Sequence, residues 1–270
     1  MEYASVRGEA VPAIGLGTYR LRGSECRETV QTALEIGYRH IDTAEFYENQ
    51  AEIGTAIDTA TVSREDLFVT TKVWKTNLEA SAVHRSVTNS LEALDLEYVD
   101  LLLIHWPNEA VPVEETLEAM NRLQAEGLVR HVGVSNFSIS QLEAAMNTSE
   151  TPILTNQVEY NPYVDRDELL TYCRNQDVLL TAYSPLAKGD VLEDETLVEI
   201  GNRYGKSPAQ VALRWLVQQE GVVAIPKASS REHLEANLDV FDFKLSGEEM
   251  AQVGSLRRGF ITRARDTLGL

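Results

Sequence analysis

Cysteine is scarce in this chain, and long apolar runs are missing from it. The 270 residues include two cysteines, Cys26 and Cys173, which lie in segments that we predict to be helical and form neither a CxxC motif nor a disulfide framework. No apolar run approaches about 18 residues, so we expect no transmembrane helix. Residues 1–5 have neither a basic start nor an apolar core, so we expect no secretory signal. These absences favour a cytoplasmic protein.

Lysine is scarce as well. Asp and Glu number 42 against 24 Lys and Arg, only six of these bases are lysines, and the formal net charge is −18. Such a surface repels nucleic acid and anionic membranes, so we expect neither as a partner. The acids are spread along predicted helices, as in Glu114, Glu115 and Glu118, and this pattern favours a halophilic protein, since salt screens the self-repulsion. An ordinary acidic enzyme is the alternative.

What the chain does contain is an alternation of short β-branched runs and amphipathic stretches. The apolar runs are near-continuous instead of strictly alternating, as strands buried on both faces require. Eight runs are predicted to be strands: residues 14–17, 40–42, 67–71, 99–104, 131–134, 153–157, 178–182 and 222–225. Helix-length segments separate them, with start signals at Ser24, at Ser138 with Gln141, and at Ser207 with Pro208.

Eight βα units account for the whole length, without a linker or a repeat. The sequence therefore predicts a single α/β domain over residues 1–270, a (β/α)8 TIM barrel with a short N-terminal β-hairpin that turns at Arg7-Gly8-Glu9. A doubly wound sheet would place G-x-G-x-x-G after the first strand. Here Gly15-Leu16-Gly17 is followed by Thr18-Tyr19-Arg20, with no third Gly. We therefore reject the doubly wound fold.

Four titratable residues lie at or just after predicted strand ends. Asp42 follows the second strand, Lys72 the third and His105 the fourth, while Tyr47 lies in the loop after Asp42. In a barrel of this kind, catalytic groups gather at the C-terminal ends of the strands. Each residue alone has an ordinary alternative: a helix cap for Asp42, a surface charge for Lys72, a satisfied core histidine for His105 and packing for Tyr47. Their occurrence together on successive strand ends favours a catalytic site.

A physical scheme links these four side chains. A tyrosine has an unperturbed pKa of about 10, too high for an efficient proton donor near neutrality, and an ammonium such as Lys72 lowers it. A buried carboxylate such as Asp42 keeps that lysine charged, and a neutral His105 can hydrogen-bond a carbonyl oxygen. The arrangement suits the reduction of a C=O group, with Tyr47 as the acid. Since no protein group supplies hydride, a nicotinamide cofactor is required.

Further segments resemble the aldo-keto reductase superfamily, in the order that its members have. The matching segments are residues 37–44 with Gln50, Ile53 and Gly54, residues 71–74, residues 104–107, residues 130–137, Gln157 and residues 182–186. The likeness runs from about Val11 to Phe243. It implies NAD(P)H-dependent reduction of aldehydes or ketones to alcohols, with a catalytic tetrad of Asp42, Tyr47, Lys72 and His105.

The resemblance also implies a cofactor site for NADPH. Ser135, Asn136 and Gln157 would hold the nicotinamide carboxamide, and Tyr183 would stack on the nicotinamide ring. The other implied cofactor-binding residues are Gly17, Thr18, Asp42, Ser184, Leu186, Lys227, Ser229, His233 and Asn237. An alternative role for Ser135 and Asn136 is to cap a following helix, and the two roles are compatible.

The family's segment for the adenosine 2′-phosphate is imperfect in residues 225–237. Ala228 stands where the family usually has Ser or Thr, His233 where it usually has Arg, and Ala236 where it has an acid. Arg is always charged and grips phosphate with two donors, whereas His is mostly neutral at pH 7. We therefore expect NADPH as the cofactor, with an unusually modest preference over NADH. The candidates to compensate are Ser229, Ser230 and Arg231, although Arg231 is otherwise a surface residue in the first turn of a helix.

An aromatic wall is predicted around the tetrad. The residues expected to contact the substrate are Tyr19, Phe46, Trp74, His105 and Trp106. The connection after His105 and the tail of residues 257–270 are short, as in the prokaryotic members that include diketogluconate and methylglyoxal reductases. We therefore expect an open site for small aldehydes, α-dicarbonyls or keto sugars. We also expect a monomer.

Two other classes of protein remain as alternatives. One is a non-redox barrel, such as a hydrolase or isomerase, that uses Asp42 and His105 as base and orienting group. It would usually need a metal cluster or a pair of acids, and no His/Asp/Glu metal spacing is present, so we expect no metal site. The other is a barrel that binds NADPH without catalysis, which would typically lose a residue of the tetrad.

Overall fold

The computed structural model describes residues 2–256 and begins with a β-hairpin. Its strands, β1 (Tyr3–Val6) and β2 (Glu9–Pro12), pair antiparallel. The two residues of the turn, Arg7 and Gly8, have φ of 51° and 87°, the positive values that the tightest hairpin turns need. The predicted hairpin and its turn are confirmed.

Eight parallel strands follow within residues 2–256, and they form one sheet with β3 and β10 at the two ends of the strand order. A parallel bridge between Ile14 and Ala224, with a hydrogen bond of 2.9 Å from Gly15 N to Ala224 O, joins these ends. The strands are β3 (Leu16–Gly17), β4 (His40–Asp42), β5 (Phe68–Val73), β6 (Val99–Ile104), β7 (Val129–Ser135), β8 (Ile153–Glu159), β9 (Leu179–Tyr183) and β10 (Val222–Ala224). The predicted strands and the (β/α)8 barrel are confirmed.

Helices cover the outside of the barrel. The α-helices are α1 (Gly23–Ile36), α2 (Gln50–Asp58), α3 (Ala80–Leu94), α4 (Val113–Ala125), α5 (Ile139–Thr148), α6 (Asp167–Asn175), α7 (Glu195–Tyr204), α8 (Pro208–Val217), α9 (Arg231–Leu238) and α10 (Gly247–Gly254). The 3₁₀ helices are Glu45–Tyr47, Arg64–Asp66 and Ala187–Glu193. Of the helices in the described part of the chain, none has the length and apolar character that a membrane span needs.

Two of the three predicted helix starts are confirmed. Ser138 caps α5 and Ser207 caps α8, each in a capping box with the Gln three residues later. The third prediction is wrong, because Arg22 occupies the N-cap position of α1. Cys26 N donates to Arg22 O at 3.2 Å, so the first helical turn starts at Arg22 and Ser24 lies inside it.

Side chains alternate between the barrel interior and the helix-facing outside along each strand. In β6, Leu102 belongs to the large cluster beneath the helices, whereas Leu101 and Leu103 belong to the smaller interior cluster. The other members of the interior cluster are Val6, Val11, Leu154, Leu179 and Val223. Both faces of the sheet are therefore apolar, which is why the strands have continuous apolar runs. The hairpin, which supplies Val6 and Val11, packs against the interior of the barrel.

The remaining predictions about the course of the chain have mixed outcomes. Strand β5 is longer than predicted, so Lys72 lies within the strand and not after it. The connection from His105 to α4 is short, as predicted. Cys26 and Cys173 are free, buried and helical, also as predicted. The tail of residues 257–270, predicted to be short, lies outside the described residues.

Candidate active site

The C-terminal end of the barrel interior collects the charged residues that were predicted from the sequence. Strand register is the cause, because Asp42 of β4 lies opposite Thr70 of β5, and Lys72 lies opposite Leu103 of β6. Since Leu103 points into the barrel, Lys72 and Thr70 share that inward face, and so does Asp42. His105 comes two residues after Leu103 and continues the same face. The fold therefore brings Asp42, Lys72 and His105 to one end of the barrel.

Lys72 is the centre of this cluster, and its ammonium group has three acceptors. Nζ donates to Asp42 Oδ1 at 2.5 Å, to Thr43 O at 3.0 Å and to Tyr47 Oη at 3.2 Å. These contacts use every donor of the ammonium group. Lys72 is only 1% exposed, and a charge so deeply buried is costly without such partners. The alternative of a surface lysine is therefore wrong.

Tyr47 reaches this cluster from the 3₁₀ helix Glu45–Tyr47, which follows β4. The guanidinium of Arg22 donates to Tyr47 O, and the fully buried Asn49 donates from Nδ2 to Thr18 O at 2.9 Å. These bonds fix the tyrosine loop to the loop after β3. Sequence reasoning missed Arg22 and Asn49, because their contacts join different loops and leave no local pattern.

Burial and neighbouring charges act in opposite directions on the pKa values of this cluster. Burial is the largest influence on Tyr47 and raises its pKa, and Lys72 lowers it as expected but does not reverse the net upward direction. Burial by itself lowers the pKa of Lys72, but Asp42 and Tyr47 outweigh it, so the pKa of Lys72 is raised. Lys72 therefore stays charged, as the expected role of Asp42 requires.

His105 lies beside Tyr47, with ring centroids 5.6 Å apart. Burial lowers the pKa of His105 to about 3, and the charge of Lys72 acts in the same direction. The imidazole is therefore neutral near pH 7 and offers one N–H donor. Its Nδ1 is buried and has no hydrogen-bond partner among residues 2–256, so the alternative of a satisfied core histidine is wrong.

Hydrogen bonds continue from Asp42 across the ends of β7, β8 and β9, and one link is Ser135 Oγ, which donates to the backbone Gln157 O at 2.8 Å. Gln157 Nε2 donates to Asp42 Oδ2 at 2.7 Å, and Tyr183 Oη donates to Asn136 Oδ1 at 3.0 Å. Asn136 Nδ2 donates to Ser135 Oγ, also at 3.0 Å. The structure thus brings together the residues predicted to surround a nicotinamide. Neither Ser135 nor Asn136 caps the next helix, because α5 has its own capping serine further along the chain.

The seam between β3 and β10 holds two further residues that were predicted to bind cofactor. Gly17 N donates to Pro226 O at 3.0 Å, and a Cβ atom at Gly17 would lie 2.6 Å from Ile225 O. Only glycine fits this approach of two backbones. Thr18 Oγ1 donates to Asp42 O at 2.9 Å, so the seam is tied to the charged cluster.

The other predicted cofactor residues lie further from the tetrad. Ser184, with φ of 48°, and Leu186 lie between β9 and the 3₁₀ helix Ala187–Glu193. In the segment predicted to meet the adenosine end, Lys227, Ser229 and His233 are exposed and Asn237 is buried.

Arg231 already has partners that compete with any phosphate. Its guanidinium donates to Glu35 Oε2 at 2.5 Å and to Glu235 Oε1 at 3.4 Å. Ser230 Oγ accepts a hydrogen bond from His233 N at 3.3 Å as the cap of α9. Two of the three residues expected to compensate for His233 are therefore engaged within the protein.

Three of the aromatic residues predicted to line the substrate site, Tyr19, Phe46 and Trp74, pack against Tyr47 or His105. Phe46 and Trp74 stack with ring centroids 4.0 Å apart, and Trp74 meets the His105 ring edge-on at 5.0 Å. Tyr19 lies 5.1 Å from Tyr47 by ring centroids. Exposed aromatic surface remains on Tyr19, Phe46 and Trp106. Such rings present an apolar wall to a ligand.

Comparison with known proteins points in the same direction as this geometry. The family model described as "Aldo/keto reductase family" matches residues 13–258. Glyoxal reductase of Bacillus subtilis (strain 168) is 40% identical over 93% of this chain and 91% of its own length. Methylglyoxal reductase DkgB of Escherichia coli O157:H7 is 40% identical over 92% of this chain and 93% of its own length. A crystal structure assigned to 2,5-diketo-D-gluconic acid reductase B has a TM-score of 0.93 at 46% identity, covering 95% of this chain and 92% of that one. The chain therefore belongs to the aldo/keto reductase family.

Proposed function

We propose that this enzyme reduces small aldehydes, α-dicarbonyls or keto sugars to alcohols with NADPH, and that Tyr47 is the proton donor. The observation that carries this proposal is the contact of 3.2 Å between Tyr47 Oη and Lys72 Nζ, backed by the Lys72–Asp42 pair at 2.5 Å. An ionisable hydroxyl with a permanent positive charge behind it suits proton donation. The relatives named for glyoxal and methylglyoxal support the substrate class.

The tetrad divides the chemistry among its side chains. A bound reduced nicotinamide supplies the hydride that the carbonyl carbon receives. Tyr47 gives its hydroxyl proton to the carbonyl oxygen, and Lys72 stabilises the phenolate that remains. Asp42 keeps Lys72 protonated in its buried position. The neutral His105 donates a hydrogen bond to the carbonyl oxygen and orients it, and Tyr47 regains its proton from water after the alcohol leaves.

The donor set at the strand ends fits a nicotinamide cofactor. Ser135, Asn136 and Gln157 offer a hydroxyl and two amides, which match the donor and acceptor of a carboxamide, and Tyr183 offers a flat ring. The other cofactor-binding residues of this proposal are Gly17, Thr18, Asp42, Ser184, Leu186, Lys227, Ser229, His233 and Asn237. Tyr19, Phe46, Trp74 and Trp106 complete the substrate side, with His105.

A Tyr47→Phe variant tests the proposed function. It should lose nearly all carbonyl reduction yet keep NADPH binding, measured by cofactor fluorescence, because it lacks only the acidic hydroxyl. Tyr3→Phe, on the exposed hairpin, is the matched control. If Tyr47→Phe activity stayed within about threefold of wild type, roughly 0.7 kcal/mol of barrier, the role of Tyr47 would be wrong. A wild-type protein that binds NADPH and turns over no aldehyde would favour a non-catalytic barrel.

The non-redox barrel depends on a metal cluster or a pair of acids. Among residues 2–256, no group of three His, Cys, Asp or Glu side chains is arranged to hold a metal ion, and the charged partner of Asp42 is Lys72. Both facts favour the reductase. Complete absence of NADPH binding would favour the hydrolase instead.

We propose further that NADPH is preferred only modestly and that NADH is also accepted. Support comes from His233 in place of an arginine and from Arg231, which is paired with Glu35 and Glu235. Dissociation constants and kcat/KM should be measured for both cofactors. His233→Arg should raise the preference for NADPH by roughly tenfold, since a guanidinium grips phosphate with two donors. A wild-type preference of several thousandfold would contradict the proposal.

We also propose that the enzyme is a monomer of a reducing, salt-rich cytoplasm. Both cysteines are free thiols, and acids such as Glu114, Glu115 and Glu118 are exposed along α4. Salt screens repulsion among such acids, so the urea midpoint should rise between low and molar KCl. A midpoint that does not rise would contradict the salt adaptation, and light scattering measures the oligomeric state.

A further inference from the structure

We propose that Glu45 is a positioning residue that holds Trp74 in the wall of the substrate site and thereby favours flat, aromatic carbonyl compounds. The inference rests on the proposed carbonyl reduction and concerns the substrate side of that site. The relevant surface is the pair of stacked rings, Phe46 and Trp74, which we term the aromatic plate.

Glu45 lies in the loop after β4, and its carboxylate forms hydrogen bonds with the turn after β5. Its Oε1 accepts a hydrogen bond from Trp74 N and another from Asn77 Nδ2 at 3.1 Å. Hydrogen bonds to a carboxylate are about twice as strong as neutral ones, and Glu45 is half-buried. The backbone of Trp74 is therefore held by a side chain that lies two residues before Tyr47.

Stacking within the aromatic plate is a second contact that holds Trp74 in place. Phe46, the residue after Glu45, stacks on Trp74 with an interplanar angle of 14°. The loop after β6 ties to the same turn, because Asn108 Nδ2 donates to Lys75 O at 2.8 Å. Glu45 thus fixes the Trp74 backbone while Phe46 covers its ring.

The position of the plate matters because Trp74 stands edge-on to His105, at 80° and 5.0 Å. His105 is the residue proposed to orient the carbonyl oxygen, so a substrate bound there meets an ordered aromatic surface. An ordered ring contact is worth up to about tenfold in affinity. Benzaldehyde can contact the free ring surface of the plate, which is that of Phe46, 46% exposed and held in place by Trp74, whereas methylglyoxal has no ring.

The test compares kcat/KM for benzaldehyde with that for methylglyoxal. In Glu45→Ala the ratio of the two should fall about tenfold, mostly through KM for benzaldehyde, because Trp74 loses its anchor. Glu45→Gln keeps an acceptor oxygen and should stay within about threefold of the wild-type ratio. Glu48→Ala, which removes the exposed carboxylate just after Tyr47, is the matched control and should leave the ratio unchanged. An unchanged ratio in Glu45→Ala would overturn the proposal.

A double-mutant cycle shows whether Glu45 acts through Trp74. In a Trp74→Ala background, Glu45→Ala should change the benzaldehyde ratio by less than about twofold, since the ring is already gone. Equal effects in both backgrounds would overturn the positioning role.

Tryptophan emission gives a readout that does not depend on turnover. Glu45→Ala should shift the part of the emission that Trp74→Phe removes, and the NADPH dissociation constant should stay as in wild type. If wild type reduced no carbonyl compound, the proposed function would fail, and the emission shift would still decide whether Glu45 positions Trp74. An unshifted emission spectrum would overturn that placement.

Discussion

Replacing Lys72 by Met tests whether a buried ammonium is what makes Tyr47 an acid. Met fills similar space without a charge. In wild type, Lys72 Nζ lies 3.2 Å from Tyr47 Oη. At this separation, Coulomb's law with an effective dielectric constant of about 20 gives roughly 5 kcal/mol between an ammonium and a phenolate. This figure is the upper limit of the effect on proton donation.

The charge of Asp42 determines the lower limit of the effect of Lys72 on proton donation. Asp42 Oδ1 lies 2.5 Å from Lys72 Nζ, and Tyr47 Oη lies 3.2 Å from the same Nζ. At the roughly 6 Å that these two contacts span, a carboxylate repels a phenolate by roughly 3 kcal/mol at the same dielectric constant. Lys72 and Asp42 together therefore stabilise a phenolate at Tyr47 by roughly 2 kcal/mol. The net loss is therefore roughly 2 to 5 kcal/mol, a fall in kcat of about thirtyfold to several thousandfold.

The assay follows NADPH consumption and also the reverse oxidation of an alcohol across a range of pH. In the proposed mechanism, oxidation needs Tyr47 as phenolate, and Lys72 lowers the pKa of Tyr47 against the effect of burial. Removing Lys72 should therefore move the rise in oxidation rate to higher pH. Lys244→Met, at an exposed position, is the matched control, and cofactor fluorescence reports binding. A kcat within threefold of wild type, with an unshifted pH profile, would refute this account of the tetrad.

Three predictions concern stability. Gly17→Ala should lower the free energy of unfolding by about 1–3 kcal/mol, because the added Cβ would lie 2.6 Å from a backbone oxygen. Gly247→Ala, with nothing within 4 Å of its added Cβ, is the control and should be near neutral. A similar fall in Tm for both variants would contradict this. Ser138→Ala should lower the free energy of unfolding in urea by about 1 kcal/mol, because Ser138 caps α5, whereas Ser24→Ala should lower it much less. Equal losses would show that the assignment of the α1 cap to Arg22 is wrong. Burial lowers the pKa of His40 to about 4, below the value of about 6.5 in the unfolded chain. The stabilising contribution of His40 should therefore be full above about pH 6.5 and fall towards pH 4, as the unfolded chain takes up the proton first. A urea midpoint that stays constant over this range would exclude this effect.

The barrel was predictable because its signals are local and repeated. Each strand is an apolar run that burial on both faces requires, and β6 has the bounds that the sequence predicted. Strand β5 differs because Lys72 ends the apolar run in the sequence, while in the fold its charge is satisfied by Asp42 and the strand continues through it. Ser24 shows a second reason why a sequence prediction fails. Several neighbouring residues can serve as the N-cap of a helix, and only the first helical hydrogen bond decides among them.

The cluster of Asp42, Tyr47, Lys72 and His105 was predictable because each member lies at or near a strand end, where a polar residue interrupts an apolar pattern. Arg22, Asn49 and Glu45 were not, because each acts on a loop from another βα unit and has no periodicity of its own. Contacts between loops depend on the closed barrel, which brings strand ends together regardless of their separation in the sequence.

The pKa of Tyr47 shows why a list of residues does not by itself define the chemistry. The sequence names Lys72 as the group that lowers this pKa, but burial raises it further than Lys72 lowers it. The same burial also strengthens the attraction between the ammonium and a phenolate, because the effective dielectric constant falls. Burial thus makes Tyr47 a weaker acid by itself and increases its dependence on Lys72. Asp42 contributes because it raises the pKa of Lys72 against the lowering effect of burial. The proposed role of Tyr47 as proton donor therefore depends on all four residues together. Packing, which cannot be deduced from the sequence, sets the sign and size of each influence on the pKa of Tyr47.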